Sequence, residues 1–146
     1  MTTDAPVRLG FVCVQNAGRS QMAAAFAERE RDRRDWAERV EIVTGGTHPA
    51  NEVHPVVVEA MNEIGVDLSG RMPRAISSEE LAACDVVATM GCSTLELDAE
   101  RSVEVRDWAL DDPHGEEFGT VREIRETVED QVTALFEDLE SRLENE

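Results

Sequence analysis

A cysteine, an arginine and a serine lie close together near the start of the chain, as Cys13, Arg19 and Ser20. A thiolate is a strong nucleophile, and the planar guanidinium of an arginine can donate two hydrogen bonds to one oxyanion. Ser20 can form a hydrogen bond with the sulfur and hold it in place. This spacing predicts attack by the Cys13 thiolate on the central atom of a bound oxyanion or phosphoester.

The segments that flank this run predict a strand, a loop and a helix in that order. Residues 7–12 are apolar and β-prone, and residues 21–27 are rich in alanine and favour a helix. A loop at such a junction turns its N–H groups and the positive end of the helix toward one point. Because Cys13 ends the strand beneath this positive field, the field favours its thiolate form.

The loop contains small and polar residues that suit the binding of an oxyanion. Gly18 permits a positive φ at no steric cost, and Asn16 tolerates one better than most residues do. The alternative is that Cys13 is only a small buried residue that ends a core strand, which is common for a free cysteine. The strand-to-helix junction favours the anion loop. Its backbone groups would be those of Val14, Gln15, Asn16, Ala17, Gly18 and Arg19.

The composition is strongly acidic, with 32 acidic and 14 basic residues, and all 14 basic residues are arginine. A net charge of −18 argues against binding to nucleic acid or to an anionic membrane surface. Regular apolar periodicity and 41% hydrophobic residues argue against disorder. We therefore expect adaptation to high salt, where carboxylates keep the surface hydrated and their repulsion is screened.

The three cysteines are an odd number without paired spacing, so they do not describe a disulfide scaffold. We see no signal peptide and no apolar run of membrane length, and we expect a cytoplasmic protein. His48, His54 and His114 do not form a metal-ligand spacing with the cysteines. We therefore expect no metal and no bound cofactor.

Strands and helices alternate along the rest of the chain. Apolar, β-prone segments predict strands over 40–44, 85–90 and 102–105, in addition to the first. A helix is predicted over 54–64 with Gly65 at its end, and a short helix starts at 77–80, where a serine can cap it. The last helix is predicted over 118–143, where apolar residues repeat by three and four.

This alternation predicts an α/β fold, a three-layer sandwich with a four-stranded parallel sheet and helices on both faces. No linker or repeat divides the chain, so we expect a single domain over 1–146. Ligands in such sheets bind beyond the carboxyl ends of the strands, where Cys13 and Cys92 are expected.

Several segments together resemble the low-molecular-weight protein tyrosine phosphatase superfamily and, within it, the arsenate reductases. Gln21 follows Arg-Ser where the phosphatases usually carry proline, and His114-Gly115 follows Asp-Pro where they tend to carry tyrosine. Both differences favour the reductases. The segments that carry the resemblance are 13–20, 44–49, 53–55, 65–69, 89–92 and 108–113.

The resemblance implies roles for individual residues. Cys13 would attack the arsenic of arsenate, and Arg19 would neutralise charge as the bond forms. Asp112 would be the general acid that protonates the departing oxygen. Two alternatives are that Asp111 takes this role and that Asp112 is only a solvated loop acid.

Cys92 separates two reaction types. A reductase needs a second thiolate that attacks Cys13, releases arsenite and leaves a disulfide, whereas a phosphatase can use water. Cys92 matches a redox-cysteine position of thioredoxin-coupled reductases, although it could also be a small buried residue at a strand end. Those reductases carry a further cysteine several residues later, and none lies between Cys92 and Asp112. Thioredoxin or a small thiol must then act directly on the adduct or the disulfide, or the protein is not a reductase.

Two other functions remain open on the sequence. One is a phosphatase that hydrolyses phosphotyrosine or small phosphoesters through a phosphocysteine intermediate. The other is an anion sensor that binds phosphate or arsenate without turnover, although a pure binder needs neither Asp112 nor Cys92. The third cysteine, Cys84, is expected only to pack at a helix end.

Overall fold

A computed structural model describes residues 6–90, 104–108, 110 and 116–144. The strands are β1 (Val7–Cys13), β2 (Val40–Gly46), β3 (Val86–Met90) and β4 (Glu104–Asp107). The helices are α1 (Arg19–Arg33), α2 (Pro55–Asn62), α3 (Ser78–Ala82) and α4 (Phe118–Glu144).

The four strands form one parallel sheet in the order β2-β1-β3-β4. The predicted parallel α/β sheet is therefore confirmed. Cys13 is paired with Gly46 of β2 and with Met90 of β3. Because parallel strands bring their carboxyl ends to one edge, three strand ends surround Cys13.

Helices cover both faces of the sheet. The larger apolar cluster joins Leu9 and Phe11 of β1 to residues of α1, α2 and α4. The smaller cluster lies around Val12 and Val87 and includes Leu81 of α3. Neighbouring residues of β1 thus contribute to different clusters, as the alternation of side chains along a strand requires. No helix in the described ranges is long and apolar enough to span a membrane.

Helix α4 carries the apolar stripe that the sequence predicted. Its members are all at most 5% exposed, and they repeat by three and four along the helix. Helix α4 packs against α1. Just beyond the end of α1, Trp36 stacks on Phe136 of α4 with ring centroids 6.0 Å apart. The buried stripe consists of Val121, Ile124, Val128, Val132, Leu135 and Leu139.

Several element boundaries differ from the predictions by one or more residues. Helix α1 begins at Arg19 rather than at residue 21, because Gly18 O accepts a hydrogen bond from Met22 N at 3.0 Å. Strand β4 runs to Asp107, where Trp108 N still donates to Thr89 O at 2.8 Å. Residues 102 and 103 of the predicted strand lie outside the described residues.

The ends of α2 and α3 follow local rules. Helix α2 ends at Asn62, before the predicted residue 64, and Gly65 adopts a φ of +84° as the chain leaves it. A serine cap for α3 was predicted, and the structure shows that it is Ser77. The Ser77 hydroxyl accepts from Glu80 N while the Glu80 carboxylate accepts from Ser77 N.

Candidate active site

The sulfur of Cys13 lies in a polar, enclosed place at the carboxyl end of β1. Cys13 is only 2% exposed. Its Sγ lies 2.8 Å from Ser20 Oγ, and it accepts a hydrogen bond from Asn16 N at 3.2 Å. Residues 13, 16 and 20 thus meet at the sulfur.

The loop after Cys13 is held by its carbonyl oxygens. Those of Val14, Gln15 and Ala17 accept hydrogen bonds at 2.7–3.0 Å from backbone N–H groups between His48 and His54. Since the N–H of a peptide plane points opposite to its C=O, these bonds turn the N–H groups of the following residues away from that segment. The donation from Asn16 N to Cys13 Sγ shows one such group facing the sulfur. The arrangement suits an anion bound above Cys13.

Asn16 takes the left-handed conformation in this loop, with a φ of +53°, whereas Gly18 has a φ of −142°. Of the two residues considered from the sequence, Asn16 therefore provides the reversal, and Gly18 serves as the N-cap of α1. The Asn16 side chain is fully buried and uses both ends of its amide. Asn tolerates this region because its short polar side chain can bond locally.

The polarity of the hydrogen bonds around Asn16 follows from the donors that surround it. Arg74 N is a backbone donor and lies 3.0 Å from Asn16 Oδ1, so that atom must be the oxygen. Asn16 Nδ2 then donates to Thr44 Oγ1 at 3.0 Å and to Ser20 Oγ at 2.7 Å. The Ser20 hydroxyl hydrogen is left to donate to Cys13 Sγ. Two donors therefore converge on the sulfur.

The end of β2 supports the loop by very close contact. A Cβ at Gly46 would lie 2.5 Å from Val14 O and 3.0 Å from Asn16 N, so only glycine fits there. Thr44 donates to Phe11 O at 2.8 Å and thereby accepts from Asn16. We assigned no role to Thr44, Gly46 or Arg74 from the sequence. The pair Gly45-Gly46 directly after a strand was the one signal of a close approach.

Arg19 is the first residue of α1 and is 8% exposed. Its Nη1 donates to Leu110 O at 3.1 Å, beyond the end of β4. The guanidinium is thus oriented by the chain at the same edge of the sheet as Cys13. The other candidate site residues, Cys92, Asp112 and its alternative Asp111, lie outside the described residues.

Cys84 has a different environment. It is 4% exposed and lies among Val12, Leu81 and Val87, where its Sγ donates to Glu80 O at 3.4 Å. Burial raises the pKa of this thiol to about 11, although the nearby Arg8 opposes the shift. The expected packing role of Cys84 is consistent with this placement. Within the described ranges, no three His, Cys, Asp or Glu side chains come together as a metal site.

Comparison with known families agrees with this fold and loop. Residues 8–145 match the family of low molecular weight phosphotyrosine protein phosphatases, and the chain belongs to that family. This match confirms the family resemblance that the sequence indicated.

Three relatives indicate which branch of the family is similar. A protein of Halobacterium salinarum named "Putative arsenate reductase" is 64% identical over 138 residues, which is 94% of this chain and 96% of that protein. Its source fits the high-salt adaptation expected from the composition. The glutaredoxin arsenate reductase of Synechocystis is 32% identical over 86% of this chain and 93% of its own length.

The third relative is a solved structure, the thioredoxin-dependent arsenate reductase of Corynebacterium glutamicum. It superimposes with a TM-score of 0.79 at 31% sequence identity, over 96% of this chain. This chain spans 65% of the length of that structure.

Proposed function

We propose that the protein reduces arsenate to arsenite, with Cys13 as nucleophile and an external thiol as the source of electrons. The observation that carries the proposal is the pair of donors, Asn16 N and the Ser20 hydroxyl, on a sulfur beneath an anion-binding loop. The similarity to three arsenate reductases supports arsenate as the oxyanion.

In the first step, the Cys13 thiolate attacks arsenic and forms a sulfur–arsenic bond. One arsenate oxygen departs and takes up a proton, for which Asp112 is the proposed donor. The backbone N–H groups from Val14 to Arg19 hold the remaining oxygens, and the Arg19 guanidinium balances their charge. The arsenic remains in the +5 state.

In the second step, another thiolate attacks Cys13 Sγ, and a disulfide forms as the sulfur–arsenic bond breaks. The electron pair of that bond stays on arsenic, which leaves as arsenite in the +3 state. The attacking sulfur is Cys92 or an external thiol. An external dithiol or two small thiols then reduce the disulfide. The relatives include a thioredoxin-dependent arsenate reductase and a glutaredoxin arsenate reductase, which supports a thiol reductant of this kind.

A second candidate is phosphoester hydrolysis, which membership of the phosphatase family favours. The same loop would hold a phosphate group, Cys13 would form a phosphocysteine, and water would hydrolyse it. This route uses no second thiol, so Cys92 distinguishes the two reactions.

We further propose that residues 1–146 act as one domain in the cytoplasm, where thiol reductants are kept reduced. The match of the family over 8–145 supports a single unit. Limited proteolysis that releases two stable fragments would contradict it.

The test measures two reactions side by side in molar KCl: arsenite formation with reduced thioredoxin or a small thiol, and hydrolysis of p-nitrophenyl phosphate. A reductase consumes thiol in proportion to added arsenate, and C13S abolishes this consumption. C92S should slow reduction while any hydrolysis survives; unchanged reduction would assign the second step to the external thiol. Absence of turnover with every thiol donor would refute the reductase.

A further inference from the structure

Gln21 lies in the first turn of α1, is only 2% exposed, and contacts the anion loop through its side chain. Its Nε2 donates to Asn16 O at 3.0 Å and to Asn16 Oδ1 at 3.1 Å. The Gln21 amide therefore binds both the main chain and the side chain of Asn16, the residue with the left-handed conformation. Its other end, Oε1, is buried and has no hydrogen-bond partner among the described residues.

The Asn16 carbonyl differs from its neighbours in the loop in the kind of hydrogen-bond donor that holds it. The carbonyls of Val14, Gln15 and Ala17 are held by backbone donors of the segment after β2. The Asn16 carbonyl is held instead by a side chain, that of Gln21. The orientation of the peptide between Asn16 and Ala17 thus depends on one amide group.

That peptide matters for an anion. If it rotated, the Ala17 N–H would turn away and a carbonyl oxygen would turn toward the sulfur and the oxyanion. A carbonyl dipole facing an anion is repulsive, so the socket would lose a donor and gain an acceptor.

The buried Oε1 also indicates that Gln21 serves the loop rather than the core. A buried acceptor without a partner destabilises the folded protein. Rotating the amide would not relieve this, because Oε1 would then face the two Asn16 oxygens. An apolar side chain of the same volume would avoid the penalty but could not hold the Asn16 carbonyl.

We propose that Gln21 is a positioning residue of the oxyanion socket, which locks the peptide between Asn16 and Ala17 so that its N–H faces the bound anion. This inference builds on the proposed function but concerns anion binding, which can be measured without turnover.

The first test uses Q21M, which keeps the buried volume and removes the donor. Sulfate is the probe because it is tetrahedral and does not titrate near neutral pH. Calorimetric titration in molar KCl should give a sulfate Kd raised about 10- to 100-fold. This is the usual effect of losing a hydrogen bond to a charged group, here the bond from the Ala17 N–H to the sulfate. Arsenate reduction should lose kcat as well as affinity.

The matched control is F136L, because Phe136 stacks on Trp36 just beyond the far end of α1. That end of the helix lies about 18 Å from Gln21, by the rise of the helix. It should lower Tm and leave sulfate affinity unchanged. A sulfate affinity of Q21M equal to that of the wild type would overturn the proposal. So would equal weakening of sulfate binding by F136L at the same loss of Tm.

The second test uses Q21E, which has nearly the same shape. An ionised carboxylate cannot donate to the Asn16 oxygens and repels the anion, whereas a protonated one can donate once. Relative to the wild type, Q21E should therefore bind sulfate weakly at pH 8 and recover as the pH falls to 5. A deficit that does not change with pH would contradict the positioning role, and loss of folding in both variants would assign Gln21 to the core.

The two proposals can fail separately. If the wild type does not reduce arsenate but Q21M weakens sulfate binding, the reductase is refuted and the positioning role stands. If reduction is normal and both variants bind sulfate as the wild type does, only the positioning role is lost.

Discussion

Two cysteines of this protein are almost equally buried, but their sulfur atoms form different kinds of hydrogen bond. Cys13 is 2% exposed and Cys84 is 4% exposed. Cys13 Sγ receives hydrogen bonds from a backbone N–H and a hydroxyl. Cys84 Sγ donates its own hydrogen to Glu80 O in an apolar cluster, where burial raises its pKa to about 11.

The comparison teaches that burial does not decide whether a thiol reacts. Burial alone favours the neutral form of an acid, as at Cys84. The two sulfurs differ instead in their hydrogen bonds: at Cys13 the donors are Asn16 N of the loop and the Ser20 hydroxyl at the start of α1. If Cys13 is the nucleophile that we propose, its reactivity and the binding of the oxyanion depend on the same set of hydrogen bonds.

The largest expected effect tests which thiol does the chemistry. C13S should abolish arsenate reduction, with a loss of at least about 1,000-fold, because a serine hydroxyl is a far weaker nucleophile than a thiolate. C84S should keep the wild-type rate in the folded protein. Arsenite formation under saturating thiol measures both. Substantial activity in C13S, or its loss in folded C84S, would remove the distinction between the two sulfurs.

A smaller effect tests the donors themselves. S20A removes the hydroxyl that donates to Cys13 Sγ, and we expect reduction to slow about 10- to 100-fold, as for other hydrogen bonds to charged groups. T89V is the matched control, since Thr89 is also fully buried but its hydroxyl bonds Asp107 at 3.0 Å. T89V should change Tm more than the rate constant. Equal loss of rate in both variants would count against a specific role for Ser20.

Two glycines of neighbouring strands, Gly46 beside the Cys13 loop and Gly10 beside Cys84, extend the comparison of the two cysteines to the packing around them. In G46A the new Cβ would lie 2.5 Å from Val14 O, which is backbone of the anion loop. In G10A it would lie 3.0 Å from Cys84 Sγ, the end of a side chain that can move. We expect G46A to cost about 1–3 kcal/mol of stability and to weaken sulfate binding, as overpacking does.

G10A should cost less stability and leave sulfate binding intact. Urea unfolding and sulfate titration in molar salt measure the two effects for each variant. Weakened sulfate binding in G10A, or unchanged binding in G46A, would show that close packing beneath the loop does not control the anion site.

The sequence was sufficient for much of the fold because the relevant signals are local. Short apolar segments predicted all four strands, alanine-rich and periodic segments predicted α1 and α4, and Ser77 predicted the start of α3. The Cys13-to-Ser20 run predicted the junction of β1 and α1. The prediction placed the start of α1 at residue 21, two residues late, because the position of the N-cap depends on the backbone conformation at the end of the loop.

The hydrogen bonds that support the Cys13 loop could not be predicted from the sequence because they join distant parts of the chain. Arg74 N reaches Asn16 across 58 positions, and Thr44 reaches it across 28. Nothing in the local sequence distinguishes Gln21 from an ordinary helix residue, since its role depends on the conformation of Asn16. Helix propensity describes a residue's own backbone, whereas these roles depend on which strand ends meet at the sheet edge.

The smallest effect concerns stability at high pH, and the composition makes it unusually clean to measure. The chain has no tyrosine and no lysine, so cysteines are the side chains that titrate between about pH 9 and 11. Since the pKa of Cys84 rises from 9.0 in the unfolded chain to about 11 in the fold, the unfolded state releases its proton first. The stability that the neutral Cys84 thiol gives the folded state is fully present below pH 9 and is lost as the pH rises through 11.

Removing this buried sulfur in C84A should lower the free energy of unfolding by about 1 kcal/mol near pH 7. The difference in stability between C84A and the wild type should narrow above pH 9. A gap in urea unfolding that stays constant from pH 7 to 11 would mean that Cys84 ionises as easily in the fold as in water, and the contrast between the two thiols would then rest on Cys13 alone.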